Sequence, residues 1–109
     1  MIKIPSPTVS YADHKVSLAG KTYKFIYRWN SIASVWMLDI YLNDTPVRTG
    51  NTLLPLSALF YAKPITNFDH GVLVVLPNIN TKEKLGRNNL GINKTYTLYY
   101  FSNEEWEAL

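Results

Sequence analysis

A mainly β, antiparallel fold with one short helix is what this sequence predicts, and three observations predict it. Aromatic residues alternate with Lys24, Ile26 and Arg28 at a two-residue period through residues 23–29, and Trp36, Leu38, Ile40 and Leu42 alternate with Val35, Met37, Asp39 and Tyr41 through Val35–Leu42; that period places successive side chains on opposite faces of a strand. Turn-forming residues, Ala19-Gly20 and the "LNDTP" of residues 42–46, separate the alternating runs. A continuous apolar run, "GVLVVLP" at Gly71–Pro77, is bounded by glycine and proline and suits a strand buried on both faces.

Taken in order, Ile2–Ile4 alternates before Pro5 and Pro7, which predicts a short opening strand and then an extended arm over residues 5–11. Residues 15–30 read as two strands joined at Ala19-Gly20, where glycine permits the positive φ of a tight hairpin turn. Residues 30–33 turn the chain into a third strand, Val35–Leu42, and residues 47–54 pair next, giving a meander of consecutive antiparallel strands. Residues 55–63, "PLSALFYAK", place Leu56, Leu59 and Phe60 at i, i+3, i+4 spacing behind a first-turn proline, which predicts the short helix. Gly71–Pro77 is expected to be the central strand. Residues 78–93 are polar, with two glycines and five asparagines, and read as an ordered loop. "KTYTLYYF" forms the last strand, and "NEEWEAL" adds a terminal helical turn capped by Asn103.

At 109 residues, the chain is expected to form a single β-rich domain, residues 1–109. Apolar residues make up 47% and charged residues 17%, so core material is ample and charge is sparse. A chain so lightly charged is expected to hide surface in partners. Its net charge of +3 comes from scattered bases, a weak signature for nucleic acid. The absence of cysteine excludes a disulfide framework, a thiolate zinc site and a cysteine nucleophile. Neither a signal-peptide apolar run nor a membrane-length one is present, so export by that route and membrane spanning are not expected.

Residues 23–41 hold six of the fifteen aromatic residues, which suits a stacking platform for single-stranded nucleic acid, a sugar-binding face built on Trp29, Trp36 and Tyr41, or a packed core. Strand periodicity discriminates among them. Tyr23, Phe25, Tyr27 and Trp29 share one face, while Lys24, Ile26 and Arg28 share the other. A nucleic-acid groove needs aromatic faces and phosphate-contacting bases on one surface, so this arrangement favours core or subunit interface; Trp29→Ala is then expected to cost ~3 to 5 kcal/mol. His14 and His70 each adjoin an aspartate, but no ligand spacing or nucleophile pattern completes a metal or catalytic site. "GRNNLG" at residues 86–91 lacks the lysine and hydroxyl of a phosphate loop and reads as a turn. Glu104, Glu105 and Glu107 form a solvated acidic end that could steer assembly against Arg28 or Lys24 of another copy. No catalytic, cofactor or metal residue is assigned.

The order of these pieces resembles the baseplate plug family of contractile-tailed phages, typified by a cyanophage plug protein. The resemblance is carried by Arg28-Trp29-Asn30 at the end of one strand, Trp36 with Leu38-Asp39 on the next, Thr49-Gly50 with Leu53 after the turn, and Leu90-Gly91 before the last strand. The sequence departs from the family's frequent aspartate before that leucine-glycine, carrying Asn89 and so one negative charge fewer. Trp29, Asn30, Trp36, Leu38, Asp39, Gly50, Leu90 and Gly91 are the family-motif and core residues.

The resemblance implies a non-enzymatic virion structural protein of the contractile tail baseplate, assembled in the host bacterial cytoplasm. It implies a sheet or barrel resembling tail-tube domains, located on the tail axis where tube, hub and spike meet. Implied partners are copies of itself in a ring, hexameric or trimeric, and the tail tube, baseplate hub and spike proteins, with no specific nucleic acid, no membrane and no cofactor. The arm at residues 5–11 and the loop at residues 78–93 are the expected contacts between copies, and removing residues 2–10 is expected to weaken assembly while sparing the fold. A small β-domain binding single-stranded nucleic acid or carbohydrate is the alternative.

Overall fold

The computed structural model describes residues 1–6, 11–60, 65, 67, 68 and 70–109. Among these residues seven strands and one helix follow in order: β1 (Ile2–Ile4), β2 (Tyr11–Leu18), β3 (Lys21–Asn30), β4 (Val35–Leu42), β5 (Thr45–Leu53), β6 (Gly71–Pro77), β7 (Tyr96–Ser102) and α1 (Asn103–Glu107). They form two antiparallel sheets, a four-stranded meander β2-β3-β4-β5 and a three-stranded sheet β1-β7-β6. Of the sheet or barrel that the family resemblance implies, the described residues form the first, two antiparallel sheets with no closed barrel.

The meander is built by tight turns. Ala19 and Gly20 have φ of 51° and 77°, and Asn43 and Asp44 have φ of 51° and 64°. Positive φ at both central residues is the hairpin geometry whose twist matches the strands, and at Ala19 an ordinary side chain accepts it. Between β3 and β4, Asn30 Oδ1 accepts the amides of Ile32 and Ala33, both at 3.1 Å, and so closes the turn expected at residues 30–33.

Burial on β3 follows the alternation. Tyr23, Phe25 and Tyr27 are fully buried, Trp29 is half-buried, and Arg28 is exposed. On β4, Trp36, Leu38 and Ile40 are fully buried on the same side. These side chains meet Ile4, Leu73, Val75, Leu98 and Tyr100 of the other sheet in one apolar cluster. A smaller cluster on the far face of the three-stranded sheet joins Val72, Val74, Tyr99 and Phe101, with Trp106 of α1 packed against it. Strand β6 is therefore buried on both faces, as its unbroken apolar run predicts. Its first residue must be glycine: a Cβ on Gly71 would lie 2.3 Å from the Phe101 carbonyl oxygen and 2.6 Å from the Tyr100 ring.

Four expectations are corrected. No helix forms over the described part of residues 55–63; residues 61–63 lie outside the described residues. Instead Pro55 and Leu59 bridge to Val75 and Leu73, with the Leu56 and Leu59 amides donating to the Val75 and Leu73 carbonyls at 2.9 and 2.8 Å. The open edge of β6 needs partners more than three apolar residues need a helix. Because this segment only bridges β6, the central strand of its sheet is β7. The one helix among the described residues is α1, and its cap is Ser102, not Asn103: Ser102 Oγ accepts the Glu105 amide at 3.2 Å while Glu105 Oε1 accepts the Ser102 amide at 2.9 Å, a reciprocal capping box. Finally, the arm expected over residues 5–11 is shortened at its end, since Tyr11 already belongs to β2; residues 7–10 lie outside the described residues.

Candidate functional site

Asp39 sits on the outward side of β4, yet it is only 8% exposed. Two neighbours cover it. Arg28, diagonal to it on β3, places one guanidinium nitrogen 3.0 Å from each carboxylate oxygen. From the other side the Gly50 amide donates to Oδ1 at 2.7 Å. Gly50 is presented by a bulge: β4 advances from Leu38 to Ile40 while β5 moves from Asn51 to Arg48, so β5 spends an extra residue there, and Gly50 takes a φ of 72°. The buried Asn51 amide fills the bulge, donating to the carbonyls of Leu38 at 2.9 Å and Arg48 at 3.3 Å. Arginine, aspartate and glycine, separated in sequence, thus form one three-strand tie.

On the inner side of the same sheet, Trp29 and Trp36 are direct cross-strand partners with ring centroids 5.4 Å apart, edge to face. The Trp36 indole N–H donates to the Gly86 carbonyl at 3.1 Å and so pins the loop of residues 78–93 to the core. Near its end that loop carries Leu90, which is buried, and Gly91, whose carbonyl accepts from Thr97 Oγ1 at 2.9 Å while its amide donates to the Tyr96 carbonyl at 2.8 Å. The structure therefore places motif residues in two groups on opposite sides of the meander, Arg28, Asp39 and Gly50 outside and Trp29, Trp36 and the loop end at Leu90-Gly91 inside; Asn30 stands apart in the β3–β4 turn, and Thr49 is exposed at the bulge.

Asn89 has a reason of its own. Its Oδ1 accepts the Gly86 amide at 2.7 Å, and its Nδ2 donates to the Lys84 carbonyl and to Glu83 Oε1, both at 2.8 Å. An aspartate would make the first bond and lose the other two, facing Glu83 with like charge. Asn89→Asp is expected to destabilise the fold by about 1 to 3 kcal/mol at neutral pH and by less once the carboxylates are protonated; urea unfolding at both pH values measures the difference.

The two histidines have separate surroundings. His70 lies between two tyrosines, with Nε2 2.8 Å from Tyr23 Oη and Nδ1 2.7 Å from Tyr100 Oη. Tyr23 donates its own proton to the Asn67 carbonyl at 2.6 Å, and the Tyr100 hydroxyl also reaches the His70 carbonyl at 3.3 Å, so both phenols are tied to backbone as well as to the ring. Phe68 packs on the same ring at 4.7 Å. His14, on β2, meets Tyr27 edge-on at 5.8 Å, and among the described residues its Nε2 has no hydrogen-bond partner. Asp69 lies outside the described residues. Among the described residues no three His, Cys, Asp or Glu side chains gather as a metal set.

The buried phenols make the fold sensitive to base. Burial raises Tyr27 well above the ordinary tyrosine range, and Tyr100 is raised by burial and then by the carboxylates of Glu105 and Glu104. A pKa raised by folding contributes stability that is whole below about pH 10 and is lost as pH climbs through the folded value, because the unfolded chain releases its proton first. Stability is expected to fall by about 1.4 kcal/mol per pH unit above pH ~10 from Tyr27 alone. Denaturation monitored against tyrosinate absorbance checks it.

The family resemblance pointed to Asp39, Gly50 and the tryptophans through their order along the chain. Asn51 and His70-Tyr100 were not visible as packing ties, since nothing local marks which carbonyls a buried amide will reach. No curated protein matches the chain. The family model described as "Cyanophage baseplate Pam3 plug gp18" matches residues 1–104, which include every residue of the two motif groups. Matched over all but its last five residues, the chain belongs to the cyanophage baseplate plug family.

Proposed function

We propose that the chain is a non-enzymatic plug subunit of a contractile tail baseplate, closing or lining the axial region between tail tube and hub or spike as a homo-oligomeric ring. Family membership over residues 1–104 carries this reading. The geometry supports it, since Tyr23, Phe25, Tyr27 and Trp36 are spent on the core and the polar groups of Arg28, Asp39 and Asn51 on tying strands, while Tyr41 is half-buried on the outward face under the Lys24 ammonium. Large apolar side chains remain outside, including Ile32 at 97% exposure and Leu56 at 72%, surface that neighbours in an assembly would cover. The whole chain, residues 1–109, acts in this reading as one domain.

Mass spectrometry of purified tails tests it: a plug ring requires this chain in fixed stoichiometry with the tube and hub proteins, and tails that lack it would overturn the reading. Single-stranded DNA separates the plug from a nucleic-acid module. Because the buried aromatic face and the bases of β3 point opposite ways, binding is expected to be weak and to fall steeply with salt. Tight, salt-resistant binding of a short oligonucleotide in a gel-shift would contradict the plug.

A further inference from the structure

A groove of about 370 Å³ opens between the start of β4, the end of β5 and residues 81–85. Val35, Leu54, Pro55 and Leu85 give it apolar walls, and Lys82 and Lys84 stand on its rim, exposed and without an ion-pair partner among the described residues. Glu83, also at the rim, is turned inward to Asn89 and Thr95. The site thus offers apolar surface beneath two uncommitted ammonium groups, which fits a segment carrying carboxylates next to an aliphatic side chain.

The chain carries such a segment. In α1 and beyond it, Glu104 and Glu107 are exposed with no basic residue in the last turn, and Leu109 is 84% exposed. Groove and segment lie at opposite ends of β7: Tyr96 lines the groove and Ser102 caps the helix, six residues or roughly 20 Å apart at the rise of a strand. A copy therefore cannot seat its own helix in its own groove.

We propose that the groove receives residues 104–109 of a second copy, Leu109 entering between Leu54 and Leu85 while Glu104 and Glu107 pair with Lys82 and Lys84. Such a contact is heterologous, since one end of a copy meets the other end of the next, and it closes into a ring when the rotation allows. The inference rests on the ring reading above and supplies its interface. It also replaces Arg28 and Lys24 as targets of the acidic end, because those bases are engaged within the chain by Asp39 and by Asp44.

The test is zero-length carbodiimide cross-linking of an equal mixture of isotopically light and heavy full-length protein, alongside sedimentation velocity. Cross-links joining Lys82 or Lys84 of one copy to Glu104 or Glu107 of another are expected. The double variant Lys82→Glu/Lys84→Glu, or Leu109→Asp, should weaken self-association roughly tenfold or more. Combining Lys82→Glu/Lys84→Glu with Glu104→Lys/Glu107→Lys should restore it. Because all five positions are exposed, circular dichroism should be unchanged. An oligomer that forms without these cross-links and ignores the charge reversals overturns the groove contact while leaving the ring standing. A chain that stays monomeric at every concentration contradicts both.

Discussion

Replacing Trp36 by alanine is expected to cost about 3 to 5 kcal/mol, the range for removing a large aromatic side chain from a core. Trp36 is fully buried, packs against Tyr27 and Trp29, and spends its N–H on the Gly86 carbonyl. The variant therefore leaves a cavity and releases the loop of residues 78–93 as well. Trp29, for which the sequence suggests the same cost, is only half-buried, and its alanine variant is expected to lose about half as much. Ile32→Ala, at a turn and almost wholly exposed, should change stability by less than about 0.5 kcal/mol. Urea denaturation of the three variants checks the order; a Trp36→Ala midpoint equal to that of Ile32→Ala would show that the indole is not where the core closes.

Removing residues 2–5 is expected to cost at least as much. Strand β1 pairs Ile2, Lys3 and Ile4 with Tyr100, Tyr99 and Leu98, Ile4 is fully buried, and the Pro5 carbonyl accepts the Tyr27 hydroxyl at 3.1 Å. Losing the Ile4 side chain alone is worth about 2 to 5 kcal/mol, against a total stability of about 5 to 15 for a domain. Truncation also bares an edge of β7, the central strand. The deletion of residues 2–10, expected from sequence to spare the fold, is thus expected to break it, and any arm that serves assembly must lie beyond Pro5. Near-ultraviolet circular dichroism and a melting curve decide the matter: an unchanged, cooperative transition would mean that β1 is dispensable.

What could be read in the sequence was whatever repeats within a few residues. The two-residue period of β3 and β4 was legible because each strand has one dry face, and the hairpin at Ala19-Gly20 because turns are local. What could not be read depends on distant partners. Leu56, Leu59 and Phe60 have helical spacing, but the demand of the β6 edge for hydrogen bonds, met where Pro55 bridges Val75 and Leu59 bridges Leu73, lies far downstream and overrides it. Ser102 outcompetes Asn103 as cap because Glu105 is three residues beyond the serine, a pairing visible only once the helix start is fixed. For the site, the motif order pointed to Arg28, Asp39 and Gly50, yet the reason for them, a bulge whose amide needs a carboxylate, became visible only with the register of β5.

Cryo-electron microscopy of the intact tail tip tests the proposed role most directly. The chain should appear as a closed ring on the tail axis between tube and hub, with residues 104–109 of each copy against residues 81–85 of the next. Density for it at the baseplate periphery, or as isolated copies away from the axis, would contradict the plug reading.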